Sequence, residues 1–496
     1  MRRRRANIRF AFTAAILVVL VAVFAFTLKN KGKTGEDVSG SQTEQKVDPP
    51  QVAEATPSQE EPVEATPAEP EPDTTVQAVS EEEIEAQRAS FVTDYESAPL
   101  LNTTSIKYLT VEMGGKPGDV AFNWFSPSGA AGKVMLYDVN SGEAQTISAQ
   151  TAASATEPGF YYNKARAEGL KENTTYAYKV GNDAGWSPEY QFSTTNFTGD
   201  FTFLAVSDAQ IGQSQFEDLD ATAERWDKVT NRLTKYVPKA AFLAHLGDQV
   251  AGYNDPTNYE GFFAHLGLYR IPLVPIVGNH DVDNWESGGG PWFYERYNVP
   301  NRSTIGCNWA DTDGDYWFRY GNALFMVLNS DTLYGVTAHE DFIRQTCDAN
   351  PDTKWRIIMQ HYPSYSSVEK YKGISEKIRG ACAEWSVKYN IDLYLNGHDH
   401  AYTRTAIING QCETISEYDY ESGSTAVNPQ GALYVTCGTA SGCLYQPVSD
   451  NYAAVMQGQP ETPTAIQVDV GENTIKLTTY LVDSWQVYDE YTIQKD

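Results

Sequence analysis

Five short polar blocks hold the residues able to do chemistry in this chain. They are Ser207-Asp208-Ala209-Gln210, Gly247-Asp248, Gly278-Asn279-His280-Asp281, Gln360-His361-Tyr362-Pro363 and Gly397-His398-Asp399-His400. Asp208, Asp248, Asn279, His361, His398 and His400 are of metal-ligating type, and His280 stands beside them. Four of the chain's seven histidines fall in these blocks. A donor set of oxygen and imidazole without thiolate suits Zn, Mn, Fe or Mg. The donors suffice for two cations, and a carboxylate can bridge them. Two ions about 3.5–4 Å apart stabilise the entering and leaving oxygens of an in-line displacement and bring hydroxide within reach of neutral pH. The chemistry expected is metal-assisted hydrolysis.

Each block follows an apolar run of strand length. The runs are Phe201–Val206, Ala241–Leu246, Leu273–Val277, Arg356–Met359 and Ile391–Leu395, with two further runs at Ala323–Leu328 and Ala432–Val435. The blocks therefore lie at the carboxyl ends of strands, where open α/β sheets bind ligands. Forty residues separate Asp208 from Asp248 and thirty-one separate Asp248 from Asn279, enough for a helical crossover each time. Glu224–Val237 carries Trp226, Val229, Leu233 and Val237 on one helical face, and Ile374–Tyr389 reads as a second helix. The region from residue 199 to 496 is expected to be an α/β domain, ending in strands through Ile466, Val468 and Val470, then Ile475, Leu477 and Tyr480.

Residues 96–198 are expected to be all-β. Val120–Phe125, Lys133–Val139 and Pro188–Thr195 read as strands. The phrase Leu170-x-x-x-Thr174-x-Tyr176 resembles the tyrosine corner of fibronectin type III sandwiches. No catalytic cluster lies in this part.

The first 95 residues have a different composition. Arg2–Arg5 precede nineteen uncharged residues, Phe10–Leu28. That length spans a bilayer, and the arginines would stay in the cytoplasm. Residues 1–29 are thus expected to be a basic cap and single-pass membrane anchor with the rest of the chain outside. The alternative is secretion after cleavage near Ala22–Ala25. Residues 30–95 are rich in Glu, Pro and Thr. Fifteen acids and one base between Glu36 and Glu85 supply half of the net charge of −28. The segment reads as a disordered spacer. Such acidity disfavours nucleic-acid binding and leaves a small phosphorylated substrate open, because cations reverse the local sign. Six cysteines, Cys307, Cys347, Cys382, Cys412, Cys437 and Cys443, are read as disulfide candidates with Cys437–Cys443 first, or else as buried thiols.

Taken in order, the blocks resemble the signature of calcineurin-like metallophosphoesterases. The β-region ahead of them, and Gly397-His398-Asp399-His400-Ala401-Tyr402 followed by Arg404, resemble the purple acid phosphatase branch. The resemblance covers roughly residues 98–496. It implies a four-layer αββα sandwich preceded by a fibronectin type III-like sandwich, and two divalent or mixed-valence ions of Fe, Zn or Mn. Asp208 and His400 would bind the first ion and Asn279, His361 and His398 the second, with Asp248 bridging. His280 would protonate the leaving oxygen, and Asp281 would orient His280. The implied activity is hydrolysis of a phosphomonoester by hydroxide held on metal. The alternatives are phosphodiester or nucleotide hydrolysis at the same site, or an inactive surface binding protein.

Two departures from that family pattern stand out. Ala251 occupies the position, three after the bridging Asp, where purple acid phosphatases place a metal-binding Tyr, and Tyr253 comes two residues late. Gln210 stands where many members have a ligating His. Its amide oxygen is expected to ligate the first ion, or else the amide bonds a metal-bound water. His245 is expected in the core, and His265 and His339 at packing or surface positions. Tyr362, Tyr365, Tyr402 and Arg404 are left between substrate pocket and scaffold. Gly288-Gly289-Gly290 reads as a loop near the mouth.

Overall fold

The computed structural model describes residues 104–213, 220–282, 291–303, 314–332 and 336–496. The expected anchor and spacer, the Gly288–Gly290 loop and Cys307 lie outside the described residues. No helix among the described residues is long and apolar enough to cross a membrane.

Two sheets form the centre of the larger region. Phe201–Val206, Ala240–His245 and Leu273–Pro275 run parallel in the first, with Val206 beside His245 and His245 beside Pro275. Thr464–Val470 joins Phe201–Val206 in antiparallel register and continues through Thr474–Leu481 and Gln486–Gln494. The second sheet sets Ala323–Leu328, Trp355–Gln360, Leu393–Asn396 and Leu433–Thr436 in parallel.

Strands buried on both faces explain why these runs are apolar without alternation. Along Ala323–Leu328, Ala323, Phe325 and Val327 face one core and Leu324, Met326 and Leu328 the other. The first core lies between the sheets: Phe325 meets Phe203 at 5.4 Å and Phe242 at 5.2 Å, both edge to face. On the far side of the second sheet, Phe342 and Ile343 of helix Val336–Ala349 and Ile378 and Trp385 of helix Lys372–Lys388 close the other core. Helix Asp220–Tyr236 covers the first sheet, its Trp226 stacked on Phe262 and edge-on to His245. The order is helix, sheet, sheet, helix, the αββα sandwich with an all-β region ahead of it.

That all-β region shares a sheet with the larger one. Lys107–Met113 pairs in parallel with Leu273–Pro275 through Glu112 and Leu273, so one eleven-stranded sheet crosses the junction. The tyrosine corner forms: the Tyr176 hydroxyl oxygen accepts the Lys171 N–H at 2.9 Å. Beyond the Asn279–Asp281 turn, Glu295 accepts bonds from Ser154 Oγ (2.6 Å), the Ala155 N–H (2.7 Å) and Thr156 Oγ1 (2.6 Å). Buried Arg296 lies 3.4 Å from Glu157 and 3.9 Å above the Tyr259 ring. The sandwich thus clamps the segment that follows the third block.

Candidate metal centre

All five blocks meet where the carboxyl ends of the two parallel strand sets face each other. Asp208, Asp248 and His400 form one cluster of donor atoms, and Asp248, His361 and His398 form a second. Within each cluster the donor atoms lie within 4.8 Å of one another, all are buried, and Asp248 belongs to both. Two metal-ligand groups sharing one carboxylate define a dinuclear centre.

Backbone geometry builds this convergence. Asp208, Gln210, Asp248, His398 and His400 all have φ between 37° and 72°. Asp and His enter the left-handed region more readily than most residues, but each such turn still costs about 1–3 kcal/mol unless its surroundings impose it. Here neighbouring blocks impose it. The Asp208 N–H donates to the Gly247 carbonyl (3.1 Å), the Gln210 N–H to the Asp248 carbonyl (2.9 Å), and the Gly397 N–H to the His361 carbonyl (2.9 Å). Gly397 has no room for a Cβ, which would overlap Ser207 Oγ and the Asp208 carboxylate.

The imidazoles are aimed by carbonyls. His361 Nδ1 donates to the Leu246 carbonyl at 2.8 Å, and its Nε2 lies 3.3 Å from Asp248 Oδ2. His400 Nδ1 donates to the Leu444 carbonyl at 3.0 Å, and its Nε2 lies 3.3 Å from Asp208 Oδ1. Fixing Nδ1 in this way frees Nε2 as a ligand. His398 Nδ1 is 3.3 Å from His361 Nε2. Asp208 Oδ1, Asn279 Oδ1 and His398 Nε2 are buried and make no hydrogen bond. Polar atoms so placed are costly unless a cation or other partner satisfies them. The residues present fit two metal ions.

Electrostatics agree. Burial alone would depress the His361 pKa, but the Asp248 carboxylate outweighs it and holds it up at about 10. His400 is likewise lifted well above the ordinary histidine range, Asp208 overcoming burial. Burial lowers His398 to about 3, aided by His361. For Asp208 and Asp248 burial works upward, yet the facing imidazolium charges bring both below the ordinary carboxylate range. Protons hold together a site whose charges call for metal.

One expectation is corrected. Asp281 does not orient His280. Its carboxylate is buried and accepts the backbone N–H groups of Asp248 (2.8 Å), Gln249 (2.9 Å) and Gly278 (2.9 Å). Asp281 is buried against the backbone of the Asp248 loop, while His280 is half-buried. His280 Nδ1 instead donates to the Ala251 carbonyl at 2.8 Å. Gln210 is hydrogen-bonded within the centre: its Nε2 donates to Asp248 Oδ2 at 2.9 Å, and its Oε1 faces Cys443 Sγ at 3.8 Å.

Cys437 and Cys443 are buried free thiols, not a disulfide, and Cys347, Cys382 and Cys412 are also free. Cys437 packs on the Ala205 and Thr464 carbonyls, away from Cys443 at the strand ends. Hydrogen bonds fix their loop instead, Thr439 Oγ1 donating to the Asp208 carbonyl and Ser441 Oγ to the Ala209 carbonyl. Tyr402 and Arg404 are scaffold: both bond buried Asp489, Arg404 through Nε at 2.6 Å and Nη2 at 3.0 Å. Tyr253 sets its ring against Trp292 at 5.7 Å. His245 is fully buried between Trp226 and Phe262, and His265 and His339 are hydrogen-bonded packing residues.

A sixth block escaped the sequence reading. Strand Ala323–Leu328 ends in Asn329-Ser330-Asp331, and Tyr362 reaches it through its N–H to Ser330 Oγ (2.9 Å) and its hydroxyl to Asp331 Oδ1 (3.0 Å). Tyr371, half-buried, lies with its ring 4.1 Å from that of His398. The polar triplet after an apolar run was the available signal for Asp331; nothing in sequence marked Tyr371.

Comparison with known proteins places the chain by fold and site. Residues 201–402 match the calcineurin-like phosphoesterase family and form a domain of that kind. Residues 106–194 match the purple acid phosphatase N-terminal domain, so the chain carries both domains in that order, and its similarity to phosphatases indicates a hydrolase. The Fe(3+)-Zn(2+) purple acid phosphatase 12 of Arabidopsis thaliana is 23% identical over 76% of this chain and 80% of its own length. Probable inactive purple acid phosphatase 24 of the same plant is 23% identical over 68% of this chain and 58% of its own. Among solved structures, a purple acid phosphatase from yellow lupin (Lupinus luteus) seeds shares the fold with a TM-score of 0.63, at 18% identity, over 79% of this chain and 75% of that one.

Proposed function

We propose that this protein is a dimetal phosphomonoesterase working outside the cytoplasm. The observation that carries the reading is the pair of buried donor clusters sharing Asp248, with half-exposed His280 on the same loop system. The pairing of Fe and Zn named for the Arabidopsis relative fits the donor chemistry, Asp and His in both groups. Asp208, Asp248 and His400 would hold one ion, and Asp248, Asn279, His361 and His398 the other. Bound there, the ions supply charge neutralisation at the phosphoryl oxygens and an activated water.

The chain's own groups do the rest. Asp281 holds the Asp248 loop through the N–H groups of Asp248 and Gln249 and its own turn through that of Gly278, so the bridging carboxylate keeps its place. The His280 N–H donates to Asp248 Oδ1 at 2.8 Å, tying the turn that carries His280 to the same carboxylate. With its Nδ1–H committed to the Ala251 carbonyl, His280 in its imidazolium form has the Nε2–H left to pass to the leaving alkoxide, and it ends as the neutral Nδ1–H imidazole. Tyr371 and Tyr362 pack around His398 and shape the entrance.

A p-nitrophenyl monoester and the bis diester, assayed on protein loaded with Mn, Zn or Fe plus Zn, test the reading. Faster monoester turnover supports it; preference for the diester moves it to phosphodiesterase. The similarity to a relative named as probably inactive keeps a second reading, a surface binding protein. Metal-loaded protein that hydrolyses no ester in a broad phosphate panel would establish that instead.

The location rests on Arg2–Arg5 ahead of the uncharged Phe10–Leu28. Protease added to intact cells expressing the full chain should remove the catalytic region. Protection of that region would place it inside.

A further inference from the structure

The two donor groups are unequal. The second has Asp248, His361 and His398, with the buried and unbonded Asn279 Oδ1 on the turn tied to Asp248. The first has Asp208, Asp248 and His400. Three candidates for a further donor among the described residues are otherwise engaged. The Ala251 carbonyl takes the His280 Nδ1–H, and the Tyr253 ring lies on Trp292. Gln210 has its Nε2 on Asp248 Oδ2, which puts its Oε1 at the opposite end of the amide, against Cys443 Sγ. Turning the amide over would set Oε1 against the carboxylate oxygen, acceptor to acceptor, and Asp248 would lose a donor. The buried thiol is confined by the Asp208 carbonyl at 3.6 Å, Thr439 Oγ1 at 3.5 Å and His400 Nδ1 at 3.9 Å. An S–H is a weak donor that suits the amide oxygen and not the amide nitrogen.

We propose that Gln210 is a positioning residue for the bridging carboxylate, locked in orientation by Cys443. Among the described residues the first metal group then has three protein donors to the second group's four, and it is the weaker and more open of the two. Three protein donors with vacant positions is the pattern of a site that exchanges ligands during turnover. This rests on the two-metal reading above and adds to it an order of loading and a thiol that governs it.

The test uses the full chain, stripped by chelator and titrated with Co²⁺, with bound metal counted by dialysis and followed by visible absorption. Wild-type protein should take two equivalents in two steps, and His400→Ala should remove the weaker one. Gln210→Ala should still take two equivalents, with the weaker step loosened about 10- to 100-fold, the usual effect of losing a group that orients a ligand. Gln210→Met, of similar volume, gives the same reading if the alanine variant misfolds. Cys443→Ala should loosen that step in the same direction and Cys443→Ser should restore it. A single equivalent in Gln210→Ala beside two in wild type would make Gln210 a ligand and overturn the proposal. So would a near-ultraviolet cobalt–thiolate band lost in Cys443→Ala, or loss of the tighter step in His400→Ala. Fewer than two equivalents in wild type would overturn the two-metal reading, and this inference with it.

Discussion

His280 Nδ1 donates to the carbonyl oxygen of Ala251 at 2.8 Å, three residues along the chain from Asp248. The turn that carries the proposed acid is thereby tied to the loop that carries the bridging carboxylate, and a backbone group engages Nδ1 and leaves Nε2 free to act. His280→Gln should lower kcat by about 10²–10⁴-fold, the range for losing a general acid, with little change in bound metal. The loss should be smaller for p-nitrophenyl phosphate, whose leaving group departs without a proton, than for an alkyl phosphate. Steady-state kinetics on both esters, with metal counts, check it. Equal losses on both would remove His280 from the acid role.

Asp281 should behave as a structural anchor. Its carboxylate accepts three backbone N–H groups at 2.8–2.9 Å in a fully buried site. Asp281→Ala leaves those donors unmet, each worth about 1–3 kcal/mol. Thermal melting of the metal-free protein should fall in Asp281→Ala and stay near wild type in His280→Gln. The reverse ranking would restore the role first expected of Asp281.

Metal uptake should release protons. In the metal-free chain His361 titrates near 10 and His400 well above the ordinary range, so at neutral pH both carry the proton that a metal must displace. His398, lowered to about 3, has none to give. Each site should then release about one proton per ion, and affinity should climb with pH up to the folded pKa. The sign for stability follows: the raised pKa of His361 stabilises the metal-free fold fully below the unfolded value of about 6.5 and loses that contribution as pH rises toward 10. Calorimetric titration in buffers of different ionisation enthalpy counts the protons; none released would contradict the assignment.

Iron-loaded protein should lack the intense visible band of a tyrosinate ligand. Ala251 stands three residues after Asp248, Tyr253 faces Trp292, and the Tyr362 hydroxyl is spent on Asp331. An intense band abolished by Tyr253→Phe would refute this.

Gly397→Ala should destroy the centre, because the added methyl group overlaps Ser207 and the Asp208 carboxylate. Overpacking of this kind costs about 1–3 kcal/mol, and it falls where His398 and His400 leave the strand. Loss of both metal equivalents with a folded circular dichroism spectrum is the expected result. Retention of both would show that the loop can give way.

Periodicity and punctuation carried much of this molecule. Apolar runs ended by Asp, Asn and His located five strands and the six residues of the two donor clusters and Asn279, because a strand buried on both faces must be apolar and its end is where polar groups can meet a ligand. The tyrosine corner was legible for a similar reason, since local hydrogen bonding fixes Tyr176 close to Lys171 in sequence. Tertiary structure alone decided which way side chains turn at those ends. Asp281 and His280 are adjacent in sequence, yet one is buried against the backbone of the Asp248 loop and the other is half-buried. The Gln210 amide meets Asp248 on one side and Cys443, 233 residues away, on the other, contacts that sequence does not announce. Six cysteines suggested disulfides by number, and packing left the five described ones as thiols. Residue types and spacing determined the class of chemistry, because metal donors are few and must sit at strand ends. The roles of individual donors depended on contacts between blocks far apart in the chain, which no local pattern encodes.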